Sequence, residues 1–384
     1  MVNLPRALSK LRRTDPLVLL PTLLLMLIGV MLVRAASTDA ALPFHHSQIK
    51  WLVISLVVSV PCILIPYTRI LSWAATIYCL GLILLLLVPL VGPTVNGARR
   101  WLTFGGISVQ PSEFMKLVTV LFLARMLRFG RPLRSLRAQA KPLLVIILPM
   151  LLTLVQPDLG TSMLFVPVAL AVLLVSGVSL RSLGLLCLVG AVCVGLAYGF
   201  VLKPYQKERI RNTFAHSKLT RTQAVGGGYQ LNQSLMTIGN GGLLGHGHME
   251  GPRTQSGRLP YRHNDFIFAV LGEEHGFAGA SFVLLLVLFL TASVFRVARR
   301  SRDPAGRLLC VGVGTLFCVQ SLIHAGVTLG LVPTTGMPFP FLSHGGSSLL
   351  TYAVGLALVL NVSVHRPTVP IRLRQREEQA LLLS

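Results

Sequence analysis

"FVLLLVLFLTASVFRVARRSRD", residues 282–303, joins an unbroken apolar run to a segment crowded with Arg296, Arg299, Arg300 and Arg302. The run has the composition of a membrane-crossing helix, and arginines massed at one end of such a helix mark the cytoplasmic side. The side on which this segment lies decides how the rest of the chain threads the bilayer.

Working outward, the 384-residue chain is 53% hydrophobic and 12% charged, against roughly a quarter charged in soluble domains. Runs bounded by Pro, Gly or charge predict helices near 17–36, 49–66, 70–91, 112–128, 142–156, 158–176, 182–202, 265–295, 307–331 and 345–363. Only Gln156, Pro157 and Asp158 separate the fifth run from the sixth. Nine spans with one kinked helix and ten separate spans therefore compete. With ten spans and the N-terminus inside, most of the basic residues fall inside, including the Arg125–Lys141 group and the Arg296–Arg307 group. Nine spans would place the second group outside, against the positive-inside tendency.

The expectation is an all-α integral membrane protein with ten transmembrane helices in one membrane domain, 17–363. Residues 1–16 and 364–384 are expected to be cytoplasmic tails. The seventh and eighth spans are joined by a long, partly ordered extracytoplasmic loop, 203–264, in which "GGGYQLNQSLMTIGNGGLLGHG" mixes glycine with apolar residues. A disordered segment would lack that apolar content.

The formal charge is +23, but a nucleic-acid binder needs a compact basic face, and here the basic residues lie between apolar runs. The six cysteines all fall within apolar runs and have neither metal-site nor disulfide-framework spacing. The first apolar run is expected to stay as an uncleaved helix.

Carboxylates are scarce, 12 in all, and one inside a membrane protein is costly enough to be a functional hypothesis. Asp15 and Asp303 fall in cytoplasmic segments and are expected to be solvated. Glu113, Asp158 and Asp265 begin predicted helices at the outer face. Asp158 and Asp265 also suit plain helix capping, and Glu113 with Lys116, three residues on, suits a helix-supporting ion pair. Asp265 is poised as a general base, whereas Glu273 and Glu274 sit roughly 12–14 Å further along the same helix and are expected to pair inside the bundle. Arg99 and Arg100 stand on an outer loop against the charge bias. They suit either a lipid diphosphate, which arginine grips bidentately, or a headgroup anchor. "LVPTTGMPFPFLSHGGSSLL", residues 331–350, is dense in Pro and Gly. It reads as the wall of a polar cleft or as a tight loop.

Together, "NGARRWL…QPSEFMK", "QPDLGTS", "GYQLNQSLMTIGNGGLLGHG", "LPYRHNDFIFAVLGEE" and "PTTGMPFPFLSHGGSS" resemble the SEDS family (shape, elongation, division and sporulation), in the family's order. "GMPFPFLS" resembles the RodA branch more than the FtsW branch. The resemblance implies a peptidoglycan glycosyltransferase that polymerises lipid II at the outer face of the membrane and releases undecaprenyl diphosphate. It also implies a class B penicillin-binding protein as the transpeptidase partner. It carries the family's essential aspartate onto Asp265 and further family positions onto Arg100, Gln110, Glu113, Lys116 and Arg209, which with Arg99, Asp158 and His263 make the candidate substrate-binding set. Tyr261, Asn264 and His344 depart from the family's usual Glu, Thr and Tyr. No motif demands a metal, although a divalent cation, Mg or Mn, would suit a diphosphate leaving group. The rival class is a polytopic lipid transporter such as a lipid II flippase, which intramembrane acids would also suit.

Overall fold

The structure, a computed structural model, describes residues 11, 13–37, 44–95, 97–128, 136–200, 207 and 227–365. The chain is mostly helical, and seven helices are long and apolar enough to cross a membrane. In chain order the helices are α1 (Pro16–Ala35), α2 (Phe44–Leu64), α3 (Tyr67–Ser72), α4 (Ala74–Val91), α5 (Pro111–Leu127), α6 (Leu136–Val155) and α7 (Leu159–Val175). They continue as α8 (Leu180–Phe200), α9 (Gly227–Asn240), α10 (Pro252–Gln255), α11 (Ile267–Arg300), α12 (Pro304–Thr328) and α13 (Gly346–Val364).

Burial orders them around a centre. The spanning windows of α13 and α12 are 78% and 67% buried, against 22% for α2 and α4. The first two form the core, and the others expose Leu80, Leu86 and Val57 as a lipid-facing surface would. α12 packs on α5, α7, α11 and α13, α2 lies along α13, and α1 lies along α11. α6 ends at Val155 and α7 starts at Leu159, and the two pack against each other. Residues 156–158 therefore turn a hairpin instead of kinking one helix.

Three differences from the expectations have local causes. The protein is not purely α: between α4 and α5 lie two antiparallel hairpins, β1 (Thr94–Val95) with β2 (Ala98–Arg99), and β3 (Leu102–Phe104) with β4 (Ile107–Val109). The second turns through Gly105 and Gly106 at φ 54° and 83°. Two successive positive φ values are what a tight two-residue hairpin requires.

Asp303 is not solvated but 1% exposed. It caps α12 through Ala305 N and accepts from Tyr67 Oη at 2.8 Å and Arg128 Nε at 3.2 Å. Of the long loop, α9, α10 and the turns up to α11 are ordered, with α9 packed on α11 and α12.

The last difference is in α11, which does not run unbroken. At Gly276 the backbone takes φ 62°, ψ −164°, a conformation only glycine adopts readily. Glu273 O and Glu274 O accept instead from His246 N (3.1 Å) and Gly247 N (2.9 Å). Phe277 N and Ala278 N donate to Gly242 O (2.9 Å) and Leu243 O (3.0 Å). The loop 242–247 thus replaces two rungs of the helix with its own peptides.

Candidate active site

Asp265 sits in the turn before α11. Its amide and that of Asn264 both donate to Tyr261 O, at 3.0 Å each. Phe266 occupies the cap position of α11 and no side chain caps it, so capping is not the role of Asp265. The Oδ2 atom lies 3.6 Å from where a Cβ on Gly336 would stand. The carboxylate therefore lies beside the Pro/Gly-rich segment, within van der Waals range of a Cβ at that position.

That segment, 331–345, is tied on all sides. Gln320 Nε2 donates to Pro338 O at 2.8 Å and His324 Nδ1 to Met337 O at 2.7 Å. Ser343 Oγ accepts from Phe339 N (2.8 Å) and donates to Asn264 O (2.6 Å). His344 N donates to His263 O (2.9 Å), and the buried Gln48 Nε2 to Ser343 O (3.2 Å). Two peptides beside Asp265 are thereby pinned to the core, as preorganised catalytic geometry requires.

The second group approaches the same segment from α5 and α7. Gln110 Nε2 donates to Asp158 Oδ2 at 2.8 Å, with Ser112 Oγ at 3.3 Å from the same oxygen. The other oxygen of Asp158 caps α7 through Thr161 N at 3.2 Å. Asp158 is both a cap and part of a polar cluster. Gln110 N reaches Ser347 Oγ at 3.0 Å, and a Cβ on Gly160 would stand 3.0 Å from Thr335 O. Arg100 donates through Nη2 to Pro157 O. Its Nε is buried without a hydrogen-bond partner, which leaves a cation beside the cluster with donor capacity to spare. Arg99, by contrast, is exposed and bonds to its own hairpin region, at Pro89 O (2.9 Å) and Thr94 Oγ1 (3.2 Å).

Glu113 and Lys116 lie deeper. Lys116 Nζ is 2.8 Å from Glu113 Oε1 and 2.8 Å from Gln320 Oε1, and the residue is 2% exposed. Tyr352 Oη donates to the same Gln320 oxygen at 2.5 Å. This pair braces α5 against α12 and, through Gln320, the Pro338 carbonyl. Arg209 lies outside the described residues. Glu273 accepts from Asn240 Nδ2, Arg253 N, Thr254 N and Thr254 Oγ1 at 2.6–3.0 Å. It caps α10 and is structural, while Glu274 pairs with His248 at 3.1 Å.

His263 stacks on Phe44, with centroids 4.1 Å apart at 11°. Burial first, then His344 and Arg262, push its pKa down to about 4. Burial lowers His344 as well. An unfolded histidine titrates near 6.5, so above that pH both states hold His263 neutral and stability does not change. As pH falls from about 6.5 towards 4 the unfolded chain gains the proton first, and stability is lost. Wild type should therefore lose more melting temperature between pH 7 and pH 5 than His263→Gln. Equal losses in thermal melts would refute the assignment.

Sequence reading missed Gln320, His324, Ser343 and Gln48. The first two stand four residues apart in an apolar run, "LFCVQSLIHAGV", and such a polar stripe was the available signal. Among the described residues no group of three or more His, Cys, Asp or Glu is arranged to hold a metal ion.

A family model of the FtsW, RodA and SpoVE type, described as "Cell cycle protein", matches residues 15–368. Peptidoglycan glycosyltransferase MrdB of Escherichia coli strain K12 is 33% identical over 352 residues, 92% of this chain and 94% of that protein. A chain in the structure "Structural coordination of polymerization and crosslinking by a peptidoglycan synthase complex" superposes with a TM-score of 0.81 at 30% identity. The alignment covers 93% of this chain and 99% of that one. Rod shape determining protein RodA of Thermus thermophilus gives a TM-score of 0.70 at 28% identity, over 93% of this chain and 98% of that one. With the fold, the order of the motifs and nearly the full length all in agreement, the chain belongs to the FtsW/RodA/SpoVE family, the SEDS membrane proteins.

Proposed function

We infer that this protein is a peptidoglycan glycosyltransferase that polymerises lipid II at the outer face of the bacterial cytoplasmic membrane. It serves cell elongation and works with a class B penicillin-binding protein that crosslinks the strands. The observation that carries this reading is the convergence of Asp265, the Gln110–Asp158 cluster and Arg100 around one pinned segment, 331–347. Ten spans, formed by α1, α2, α4 to α8 and α11 to α13, would leave both termini cytoplasmic and the segment after α11 on the positive side. One membrane domain over 17–363 then carries short cytoplasmic tails.

In the reaction the acceptor 4-hydroxyl oxygen bonds to C1 of the donor sugar as the bond from C1 to the diphosphate oxygen breaks. Undecaprenyl diphosphate leaves from the opposite face with inversion. The hydroxyl proton passes to Asp265, a carboxylate pinned through its own amide and its neighbours' peptides. Arg100 offers Nε to the diphosphate, whose charge grows in the transition state. Gln110 and Asp158 shape the pocket floor, Arg209 belongs to the same leaving-group set, and Lys116 with Glu113 acts from below as a brace. A lipid transporter would want an open polar path through the midplane, whereas Lys116, Glu113 and Gln320 are spent on one another.

Purified protein with its partner, the partner's own active site inactivated, should convert lipid II to polymer, and no polymer would sink the reading. Arg100→Ala should raise the donor KM by ~10-fold or more, the scale of a lost charge-assisted contact, while partner binding is unchanged. Equal loss of both would make Arg100 a structural anchor.

A further inference from the structure

Beside Asp265 the outer face holds a cavity of about 240 Å³ lined by Phe44, Leu259, Pro260, Tyr261, Arg262 and His263. The reaction as drawn makes no use of it. We propose that this cavity is a saccharide subsite that holds one N-acetylhexosamine unit of the acceptor strand. The inference rests on the glycosyltransferase reading and adds to it a place for the sugar whose hydroxyl Asp265 deprotonates.

Four observations support it. The cavity adjoins the turn that carries the base: its wall residues Tyr261, Arg262 and His263 directly precede it in the chain, and Asp265 N donates to Tyr261 O at 3.0 Å. Its volume falls just short of the ~300–1,000 Å³ that accommodate drug-sized ligands, which suits a single pyranose ring.

The lining is mixed in the way sugars require. Tyr261 is 47% exposed, and Phe44 and Pro260 are half-buried. Aromatic and apolar walls match the C–H faces of a sugar ring. His263 is held neutral by burial, so its imidazole can both donate and accept, as hydroxyl and acetamido groups need. A diphosphate would call for the opposite charge state. Arg262, whose Nε is fixed on Ala36 O at 2.8 Å, forms a rigid part of the wall.

Tyr261 also has a strained backbone, at φ 51°. A bulky non-glycine residue there is strained and persists where the surroundings impose it, commonly at ligand clamps. Strain and partial exposure of the ring together suit a platform for a ligand.

The test uses three variants. Tyr261→Gly removes the ring and relieves the strain, so it should melt no lower than wild type yet raise the lipid II KM by ~5-fold with little change in kcat. Tyr261→Phe keeps the ring and should stay within about twofold of wild type. The third readout needs no catalysis: saturation-transfer NMR of tri-N-acetylchitotriose with the Asp265→Asn protein should show contact to the ring and acetamido protons. That signal should be lost when Tyr261→Gly is added. A wild-type KM in Tyr261→Gly, a lower melting temperature for it, or an undiminished oligosaccharide signal would each overturn the subsite. If wild type makes no polymer, the glycosyltransferase reading fails, and the NMR experiment still decides whether the cavity binds sugar.

Discussion

Asp265→Asn should abolish polymerisation of lipid II, with a loss of ~10³-fold or more, while the melting temperature and partner binding stay at wild-type values. The magnitude is that of removing a general base, the role proposed for Asp265, which would take the acceptor proton as the new bond forms. The selectivity follows from local structure. Asp265 does not cap α11, and its amide bond to Tyr261 O survives the change. The neighbouring peptides stay pinned by Ser343 and His344. An asparagine occupies the same volume against Gly336, so the turn should keep its shape. Single-turnover assays with radiolabelled lipid II would measure the loss. Turnover within tenfold of wild type would remove Asp265 from the chemistry.

Lys116→Met should have the largest effect on folding. It leaves Glu113 buried at 1% exposure without its cation, and breaking a buried pair from one side costs ~3–5 kcal/mol. Glu113→Gln together with Lys116→Met removes both charges and should recover most of the lost melting temperature. The Gln320–Pro338 bond remains in the double variant, so it should retain measurable polymerisation, with KM near wild type and a reduced kcat. A folded double variant with no activity would instead place Lys116 in contact with substrate.

The two variants also show how legible the chain was. The helices could be read because apolar runs of spanning length leave few alternatives, whereas Gln156, Pro157 and Asp158 left a turn and a kink open and the choice rested on the arginines of later segments. Gln110 came only with the family resemblance, whereas Asp265, Arg100 and Asp158 stood out because a charge at a membrane border needs a reason to be there. Lys116 was visible for the same reason, but its partner Gln320 lies 204 positions along. Nothing local distinguishes a brace from a phosphate ligand. Ser343 and Gln48 act through peptide contacts with segments far apart in sequence. The hairpin at Gly105–Gly106 carried an ordinary turn signal, overshadowed by the surrounding apolar runs. The break in α11 was hidden because the apolar pattern continues across it, and its cause is a loop some thirty residues earlier.

That break changes what sets rotational phase in α11. In a continuous helix each inserted or deleted residue turns everything beyond it by about 100°, so one length change would swing all outward-facing groups together. Here the ladder is cut at Gly276, and residues 267–275 take their orientation from the peptides of 242–247. The membrane-facing stretch 277–300 can drift in length or register without turning Glu273 away from the amides of Arg253 and Thr254. The turn that carries Asp265 is indexed to the 242–247 loop and not to the part that meets lipid.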